Sequence, residues 1–388
     1  MDIHDKPMHP KTFPRLVWFF FLSGSVLAQA HGAPVALSPP DIATFISQIS
    51  RAGAGRICLA GETMDPDGDL QTRGKIILFN TDKNQVVWQQ TIDAPEEGYM
   101  LGFAACRSDG TFTYVAGNVQ TNSSPSLSQT LAYVYKFDQH GKLLGKKELL
   151  VGGRNAFVYD LDLDRDASAL TVVGMVNDRK GASQLNAIYF ARLDTALKKA
   201  TYSKLATGAF MNGSTVKLAA KSALLGGSFL PATAADTAAV NDYAVSKIVG
   251  DKYQFSVRPQ AQTGHAQDVA TAISPADEVV SLADARGVST LTVVGADGKL
   301  APALTFKSSA CKVTSMSASA EVVYAVRASC AKAGQGARLM AFSRKTGLET
   351  GVAGIVGEPV FSYPIDGALH VVSRKADKVL LLQTIAKP

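Results

Sequence analysis

The chain of 388 residues has only four cysteines and two tryptophans, and no two cysteines form a C-x-x-C pair. Zinc ribbons and dithiol redox sites use that spacing, so the sequence argues against both. The G-x-S-x-G, H-E-x-x-H and P-loop motifs are also missing, which removes the usual signs of a serine hydrolase, a metalloprotease or a nucleotide-binding enzyme. We expect no metal and no cofactor.

Charge of one sign is not concentrated anywhere in the sequence. Lysine and arginine outnumber aspartate and glutamate by 39 to 33, but the basic residues are scattered, without a long basic run. Proteins that bind nucleic acids usually show such clusters. We therefore expect a solvated basic surface and no nucleic-acid partner.

One long apolar run is present, at the N-terminus. Three basic residues precede the apolar stretch Leu16–Ala30, which ends in the triplet Ala28-Gln29-Ala30. This order predicts a secretory signal peptide over residues 1–30 and a mature protein that is periplasmic or secreted. An uncleaved membrane anchor is the alternative, because no charged residue occurs between Leu16 and Asp41. No later segment is long and apolar enough to span a membrane.

Apolar segments of one pattern recur about every fifty residues after the leader. They are ICLAGE from Ile57, TYVAGN from Thr113, TVVGMV from Thr171, LLGGSF from Leu224, VVSLAD from Val279, VYAVRA from Val323 and HVVSRK from His370. A strand-like segment and a turn precede each of them, and further strand-like segments follow. Four antiparallel strands per repeat is the pattern of a propeller blade. We predict an all-β fold in which residues 31–388 form a single seven-bladed β-propeller of four-stranded antiparallel blades.

The turn sequences of the repeats resemble those of a known class of proteins. Several repeats end in hairpin sequences such as Asp138-Gln-His-Gly141 and Asp297-Gly298. With the apolar segments they resemble the V-x-G and F-x-x-D-x-x-G pattern of secreted bacterial seven-bladed propellers, among them the delta-60-like repeat class. The resemblance covers nearly the whole mature chain. It implies the fold and carries over no catalytic residue.

The last repeat has no room for an outermost strand before the chain ends at Pro388. We expect the mature N-terminus, around Ala33 to Leu37, to supply that strand and close the ring. Residues 39–50 allow two interpretations, because their prolines and apolar spacing suit a helix while the repeat requires a strand there. The repeat favours the strand.

The cysteines test this register. Cys311 and Cys330 lie at the two ends of a predicted hairpin and are expected to form a disulfide. Cys58 and Cys106 fall near the same face of the ring in neighbouring blades, which predicts a second disulfide between blades. Four cysteines allow three connectivities, and free buried thiols are the alternative.

Long connections between the second and third strands of blades one to four suggest a binding face. They span residues 62–74, 118–131, 177–186 and 230–241. Polar residues of the innermost strands are expected to converge at the channel mouth near this face, or to bind water and backbone amides there. The candidate binding residues are Glu97, Tyr99, Arg154, Asn155, Asp160, Asn212 and Asp268, with Phe103 expected at the repeat position of Asp160 in blade two.

The sequence favours an exported, non-enzymatic propeller that binds a protein, a peptide or a surface glycan through this face. The alternative is a periplasmic hydrolase or lyase with Asp160, Asp268 and His265 as weak catalytic candidates. Quinone-dependent propeller dehydrogenases resemble the architecture, but they repeat tryptophan motifs, and Trp88 is the only tryptophan after the leader. A propeller subunit of an amine dehydrogenase complex, with the cofactor held by its partner, is the third candidate.

Overall fold

The computed structural model describes most of the chain after the predicted leader. The described ranges are 33–39, 42–64, 71–121, 129–153, 155–164, 166, 168–178, 185–210, 214–219, 222–232, 242–259, 269–285, 288–307, 311–328 and 336–386. The predicted signal peptide lies outside these ranges. Within them, no helix combines the length and the apolar character that a membrane span requires.

Six sheets, antiparallel except for one pairing in the second, account for the regular structure of the described residues. The N-terminal strand is β1 (Val35–Ala36). The first sheet contains β2 (Ala43–Arg51), β3 (Arg56–Met64), β4 (Thr72–Asn80) and β5 (Gln85–Ile92). The second contains β6 (Met100–Ser108), β7 (Thr113–Gln120), β8 (Thr130–Phe137), β9 (Leu143–Glu148), β10 (Asn155–Leu163), β11 (Ala169–Asp178), β12 (Leu185–Asp194) and β13 (Ala200–Leu205).

The remaining four sheets follow in chain order. The third contains β14 (Gly208–Phe210), β15 (Thr215–Ala219), β16 (Ser222–Pro231), β17 (Asp242–Val249) and β18 (Lys252–Val257). The fourth contains β19 (Val269–Ile273), β20 (Val279–Ala285), β21 (Val288–Val294) and β22 (Leu304–Lys307). The fifth contains β23 (Val313–Ala318), β24 (Val322–Arg327), β25 (Arg338–Ser343) and β26 (Glu349–Gly351). The sixth contains β27 (Glu358–Ile365), β28 (Ala368–Arg374) and β29 (Leu380–Ala386), with β1 at its edge.

The described residues form five separate blades and one eight-stranded sheet. A parallel pair between Asn155 of β10 and Thr130 of β8 joins β6–β9 to β10–β13 in the second sheet. The prediction of seven separate blades is therefore wrong. The sequence repeat marks four-strand units, but it carries no sign that a single residue pair merges two of them.

The sheets are arranged as a propeller. Their innermost strands contact one another in chain order, and the last contacts the first: β2, β6, β10, β15, β19, β23 and β27. Apolar side chains fill the space between neighbouring sheets, where Cys58 and Leu78 of the first sheet meet Leu101, Tyr135 and Phe137 of the second. The core is therefore divided into layers, each shared by adjacent sheets.

The glycines of the sequence repeat lie opposite a recurring β-bulge. The pairing of β2, β6, β10, β23 and β27 with the next strand skips one residue, at Ser47, Ala104, Tyr159, Thr314 and Val360. Gly61, Gly117 and Gly174 lie beside three of these bulges. A Cβ added to Gly117 would lie 2.6 Å from the carbonyl oxygen of Gly102. Glycine is needed because the bulged backbone approaches too closely for a side chain.

The N-terminal strand closes the ring, as predicted. Val35 and Ala36 of β1 pair with Leu382 and Leu381 of β29, the third strand of the sixth sheet. The amide of the next residue, Leu37, donates to the carbonyl of Leu380 at 2.8 Å, and the Leu37 side chain is only 1% exposed. Chain segments more than three hundred positions apart thus complete one sheet.

Residues 43–51 form the strand β2, which confirms the interpretation that the repeat favoured. The segment forms a strand in spite of its local helix signals, because β2 pairs along its length with β3 and its buried side chains enter the core between sheets. Tertiary pairing of this kind overrides local propensity in short segments.

Candidate functional site

The ring has two faces, and strand direction decides which residues reach each of them. We call the face with the connections between the second and third strands, and between successive sheets, the loop face. The opposite face, with the tight turns, is the turn face. Glu97 and Tyr99 lie in the connection from β5 to β6, and Asn155 begins β10, so all three belong to the loop face. Arg154, Asn212, His265 and Asp268 lie outside the described residues, as do most of the long connections.

Asn155 holds the two halves of the second sheet together. Its side-chain oxygen accepts a hydrogen bond from the backbone amide of Thr130 at 3.0 Å. Nearby, the side-chain oxygen of Asn118 accepts one from the amide of Val158 at 2.7 Å. Both asparagines therefore satisfy backbone donors between β10 and the first half of the sheet, which is a structural role.

Asp160 is the centre of a hydrogen-bond network that crosses the inner ring. Its side chain is 1% exposed. One carboxylate oxygen accepts from Gln48 Nε2 at 2.9 Å, from Arg107 Nη2 at 3.0 Å and from the Leu161 amide at 2.8 Å. The other accepts from Arg107 Nη2 at 3.1 Å and from the amide of Leu218 at 3.3 Å. These groups come from β2, β6, β10 and β15.

The carboxylate of Asp160 has no acceptor capacity left for a ligand. An ionised carboxylate offers about four lone-pair positions, and the donors around Asp160 use them all. Burying a charge is tolerated when it is paired and hydrogen-bonded in this way. The geometry therefore supports the sequence interpretation in which this residue binds neighbouring backbone amides, and it assigns Asp160 to bracing the ring.

Arg107 extends the network on its own side. Its Nη1 donates to Gln48 Oε1 at 2.9 Å and to the carbonyl of Cys106 at 2.8 Å, and its Nε lies 3.8 Å from the carboxylate of Asp162. Tyr363 of β27 lies near the same charges: its pKa is raised by burial, lowered by Arg107 and raised by Asp160. The brace therefore extends toward the sixth sheet.

The expected alignment of Asp160 with Phe103 is wrong by two residues, because the residue of β6 that follows the bulge, as Asp160 does in β10, is Ala105. Asp160 follows the bulged residue of β10 and pairs with Val173, whereas Phe103 precedes the bulge of β6 and pairs with Gly117. In the first sheet the residue equivalent to Asp160 is Gln48, which pairs with Ala60. Gln48 and Arg107 were missed as functional residues. Arg107 follows a largely apolar run in β6, whereas Gln48 has several polar neighbours in β2 and offered no such signal.

Asp160 and the loop-face candidates do not come together. Asp160 lies five positions after Asn155, the loop-face end of β10, which is about 16 Å along an extended strand. Asp160 therefore belongs to the half of the strand nearer the turn face, with Asp162 beyond it. Asp160 and the described loop-face candidates therefore lie apart, and Asn212, His265 and Asp268 lie outside the described residues.

A different cluster surrounds Tyr99 on the loop face, in the seam between the first sheet and β6–β9. Tyr99 hydrogen-bonds to the Glu96 side chain, which raises the pKa of its phenol. Tyr133 Oη donates to Glu148 Oε2 at 3.0 Å. We call Glu62, Glu96, Tyr99, Tyr133 and Glu148 the seam cluster.

The electrostatics place Glu148, Glu96 and Tyr99 close to Tyr133, while Glu62 lies beside Gly102. Burial is the largest cause that raises the pKa of Tyr133, to about 12, followed by the hydrogen bond to Glu148 and the negative charges of Glu148 and Glu96. Burial raises the pKa of the Glu62 carboxyl as well. That carboxyl lies against Gly102, where an added Cβ would come within 2.5 Å of it.

The seam cluster has donors and acceptors but no cation of its own. Among the described residues, no lysine, arginine or histidine nitrogen forms a salt bridge with Glu62, Glu96, Glu97 or Glu148. Tyrosine rings beside carboxylates suit ligands that present ammonium, guanidinium or hydroxyl groups. Over the same ranges, no group of three or more potential ligand side chains is arranged to hold a metal ion.

The disulfide between blades is confirmed. Cys58 of β3 and Cys106 of β6 are bonded, with their Cα atoms 6.3 Å apart, and Cys106 precedes Arg107 directly. Cys311 is also disulfide-bonded. Its predicted partner, Cys330, lies outside the described residues. The Cys58–Cys106 bond thus ties the first sheet to the strand that carries the ring brace.

Comparison with solved structures supports the propeller fold. The chain is similar to the β-propeller domain of the Trilobed protease from Pyrococcus furiosus, with 11% identity over 88% of this chain and 93% of that one and a TM-score of 0.51. It is similar to an acylaminoacyl peptidase in complex with Z-Gly-Gly-Phe-chloromethyl ketone, with 9% identity, 88% of this chain and 51% of that one covered and a TM-score of 0.50. The chain therefore spans about half the length of that peptidase. At these identities the likeness shows the fold alone.

No protein-family model and no curated protein matches the sequence. Membership of the delta-60-like repeat class therefore remains a prediction from the repeat pattern.

Proposed function

We propose that this protein is an exported, non-enzymatic binding propeller that recognises a protein, a peptide or a surface glycan through its loop face. The seam cluster carries the proposal, because it places tyrosine and glutamate side chains without a cation partner on the face that also bears the long connections. The leader sequence supports export, and the Cys58–Cys106 disulfide is compatible with an oxidising compartment.

The proposal treats the eight-stranded sheet as two adjacent functional blades. Strands β6–β9 and β10–β13 each repeat the four-strand order of the separate blades, and one residue pair joins them. The seam cluster then lies at the boundary between the first sheet and the blade formed by β6–β9.

A hydrolase or lyase is the competing function, and the state of Asp160 argues against it. A general base must accept a proton from the substrate, whereas every acceptor position of this carboxylate is already used inside the ring. Substrate access would require Arg107 or Gln48 to move away. His265 and Asp268, the other acid–base candidates, lie outside the described residues.

The binding proposal is tested on peptide and glycan arrays with the mature protein. Tyr99→Ala and Glu97→Lys change exposed or half-exposed groups of the loop face, and Asp251→Lys is the matched control on the turn face. We expect the two loop-face variants to weaken binding of the ligands selected by the wild type about tenfold or more, with no effect of the control. The proposal is wrong if Asp251→Lys weakens ligand binding and the two loop-face variants do not. It is also wrong if the protein shows turnover in a hydrolase and lyase screen and Asp160→Asn abolishes that turnover.

A further inference from the structure

Exposed leucines and lysines gather on the outer edge of the second sheet. Leu143 and Leu144 of β9 are 40% and 48% exposed, and Leu150, in the connection that follows, is 69% exposed. Tyr202 of β13 is 36% exposed. The lysines of this edge are Lys142, Lys146, Lys147, Lys198, Lys199 and Lys204. We call the four apolar residues and these lysines the rim patch.

The two parts of the rim patch are continuous. The amide of Leu150 donates to Tyr202 Oη at 3.2 Å, and Lys204 Nζ donates to the carbonyl of Gly152 at 3.1 Å. These contacts hold the connection after β9 against β13. The exposed side chains of two edge strands therefore belong to one surface.

The charge of the rim patch is positive. None of its lysines has a carboxylate oxygen within salt-bridge distance among the described residues. Three acids lie nearby. Asp138 and Asp194 accept hydrogen bonds from backbone amides of their own turns, among them those of Lys142 and Lys199, and Glu148 accepts from Tyr133. Their carboxylates therefore compensate the lysines only in part.

Protection of an exposed sheet edge does not explain the whole patch. Lysines on edge strands commonly prevent pairing with other chains. Exposed leucines work against that purpose, because they favour association through the same edge. A partner that is both apolar and anionic accounts for both residue types together.

We propose that the rim patch is a docking surface for an anionic lipid bilayer. Leucine and tyrosine side chains that project from an outer edge can enter the interfacial region of a bilayer, while lysines beside them are attracted to anionic headgroups. The leucines project to between 40% and 69% exposure. This favours a soft, planar partner over a peptide that would need a groove. The proposal concerns a different surface from the seam cluster and does not depend on its ligand.

The test is co-sedimentation of the mature protein with vesicles of phosphatidylcholine alone and with vesicles that also contain phosphatidylglycerol. We expect binding to the phosphatidylglycerol vesicles only, and loss of that binding as ionic strength rises, because salt screens the lysines. Lys146→Glu with Lys147→Glu, and separately Leu144→Ser with Leu150→Ser, should each weaken vesicle binding about tenfold or more.

A matched control lies in the fifth sheet. Leu348 is 66% exposed in the turn after β25, close to the 69% of Leu150, and Lys345 is exposed in the same turn. Leu348→Ser with Lys345→Glu should leave vesicle binding unchanged. The circular dichroism and melting temperature of every variant should match the wild type, because the changes are confined to exposed side chains and the half-exposed Lys147.

Three outcomes overturn the proposal. They are failure of the wild type to bind anionic vesicles, equal loss of binding in the Leu348→Ser, Lys345→Glu control, and full binding by the Leu144→Ser, Leu150→Ser variant. The wild type could instead fail to bind vesicles and bind poly-glutamate, with that binding lost in the Lys146→Glu, Lys147→Glu variant. In that case the partner is an acidic polypeptide and the lipid proposal is wrong.

Discussion

Arg107 and Asp160 form an ion pair across the junction of β6 and β10, in which one guanidinium nitrogen, Nη2, lies 3.0 and 3.1 Å from the two carboxylate oxygens. The aspartate side chain is 1% exposed and the arginine side chain 20%. Because Gln48 and the amide of Leu218 donate to the same carboxylate, groups from four innermost strands are oriented by one residue. This pair therefore links the first three sheets of the ring.

Asp160→Ala should lower the free energy of unfolding by about 3–5 kcal/mol, because it removes the nearest carboxylate from Arg107 and leaves several buried donors without an acceptor. Asp160→Asn, which keeps one acceptor, should cost less. Denaturant titration of the mature protein measures both. Asp251→Ala, on an exposed turn, should stay within about 0.5 kcal/mol of wild type. An Asp160→Ala loss no larger than this control would show that the network contributes nothing to stability.

The N-terminal strand offers a second prediction. Leu37 is buried beside Leu380 and Leu382, so Leu37→Ala should destabilise the protein by about 2–5 kcal/mol. Deletion of residues 31–38 should lower the melting temperature further, because it also removes the pairing of β1 with β29. Leu348→Ala, at an exposed leucine, is the control. An unchanged melting temperature after the deletion would contradict closure by this strand.

The repeat glycines beside the bulges should not tolerate a side chain. A Cβ on Gly174 would overlap the carbonyl oxygen of Phe157, so Gly174→Ala should cost at least about 2 kcal/mol of folding free energy. Gly145, in the outer strand β9, has no atom within 4 Å of its added Cβ, and Gly145→Ala should be close to neutral. Equal stability of the two variants, measured by thermal unfolding, would refute this role of the repeat glycines.

His370 should make the protein less stable in acid. Its side chain is 2% exposed, and burial lowers its pKa from 6.5 to about 4, against the opposing effect of Asp366. Above pH 6.5 the histidine is neutral in both the folded and the unfolded state, and its full contribution to the free energy of unfolding is present. As pH falls from 6.5 to about 4 only the unfolded state takes up the proton, so about 3 kcal/mol of stability is lost.

Urea unfolding across that pH range tests the prediction. His370→Gln should flatten the dependence of stability on pH between 6.5 and 4, since glutamine does not titrate and can still approach Thr384, which His370 Nδ1 contacts at 3.1 Å. His140→Gln, on an exposed turn, should leave the wild-type dependence in place. A His370→Gln profile that parallels the wild type would assign the acid sensitivity to other groups.

The strands and their repetition were readable from the sequence because they depend on local features. The seven apolar segments coincide with β3, β7, β11, β16, β20, β24 and β28. Their pattern reflects strands that are buried on both sides between sheets, and the turns beside them carry glycine and aspartate for local backbone reasons. The disulfide of Cys58 with Cys106 followed from the same register.

The number of separate sheets and the composition of the sites were not readable in this way. Joining of the second sheet depends on one pair between Asn155 and Thr130. The partners of Asp160 come from strands more than fifty positions away, and the bulges shift the alignment by one residue, which is enough to exchange the partners of every later side chain. Tyr133 and Glu148 joined Tyr99 only through packing between neighbouring strands.

Repeated four-strand units follow from the amino-acid sequence, because alternation, turn residues and repeat glycines act within a few residues of each other, and the short last repeat predicts closure by the N-terminal strand. The folded structure was needed to show which units merge, that Asp160 braces the ring and that a tyrosine and glutamate cluster lies on the loop face. Those results depend on distances between residues far apart in the chain, which are fixed when the sheets close around the channel.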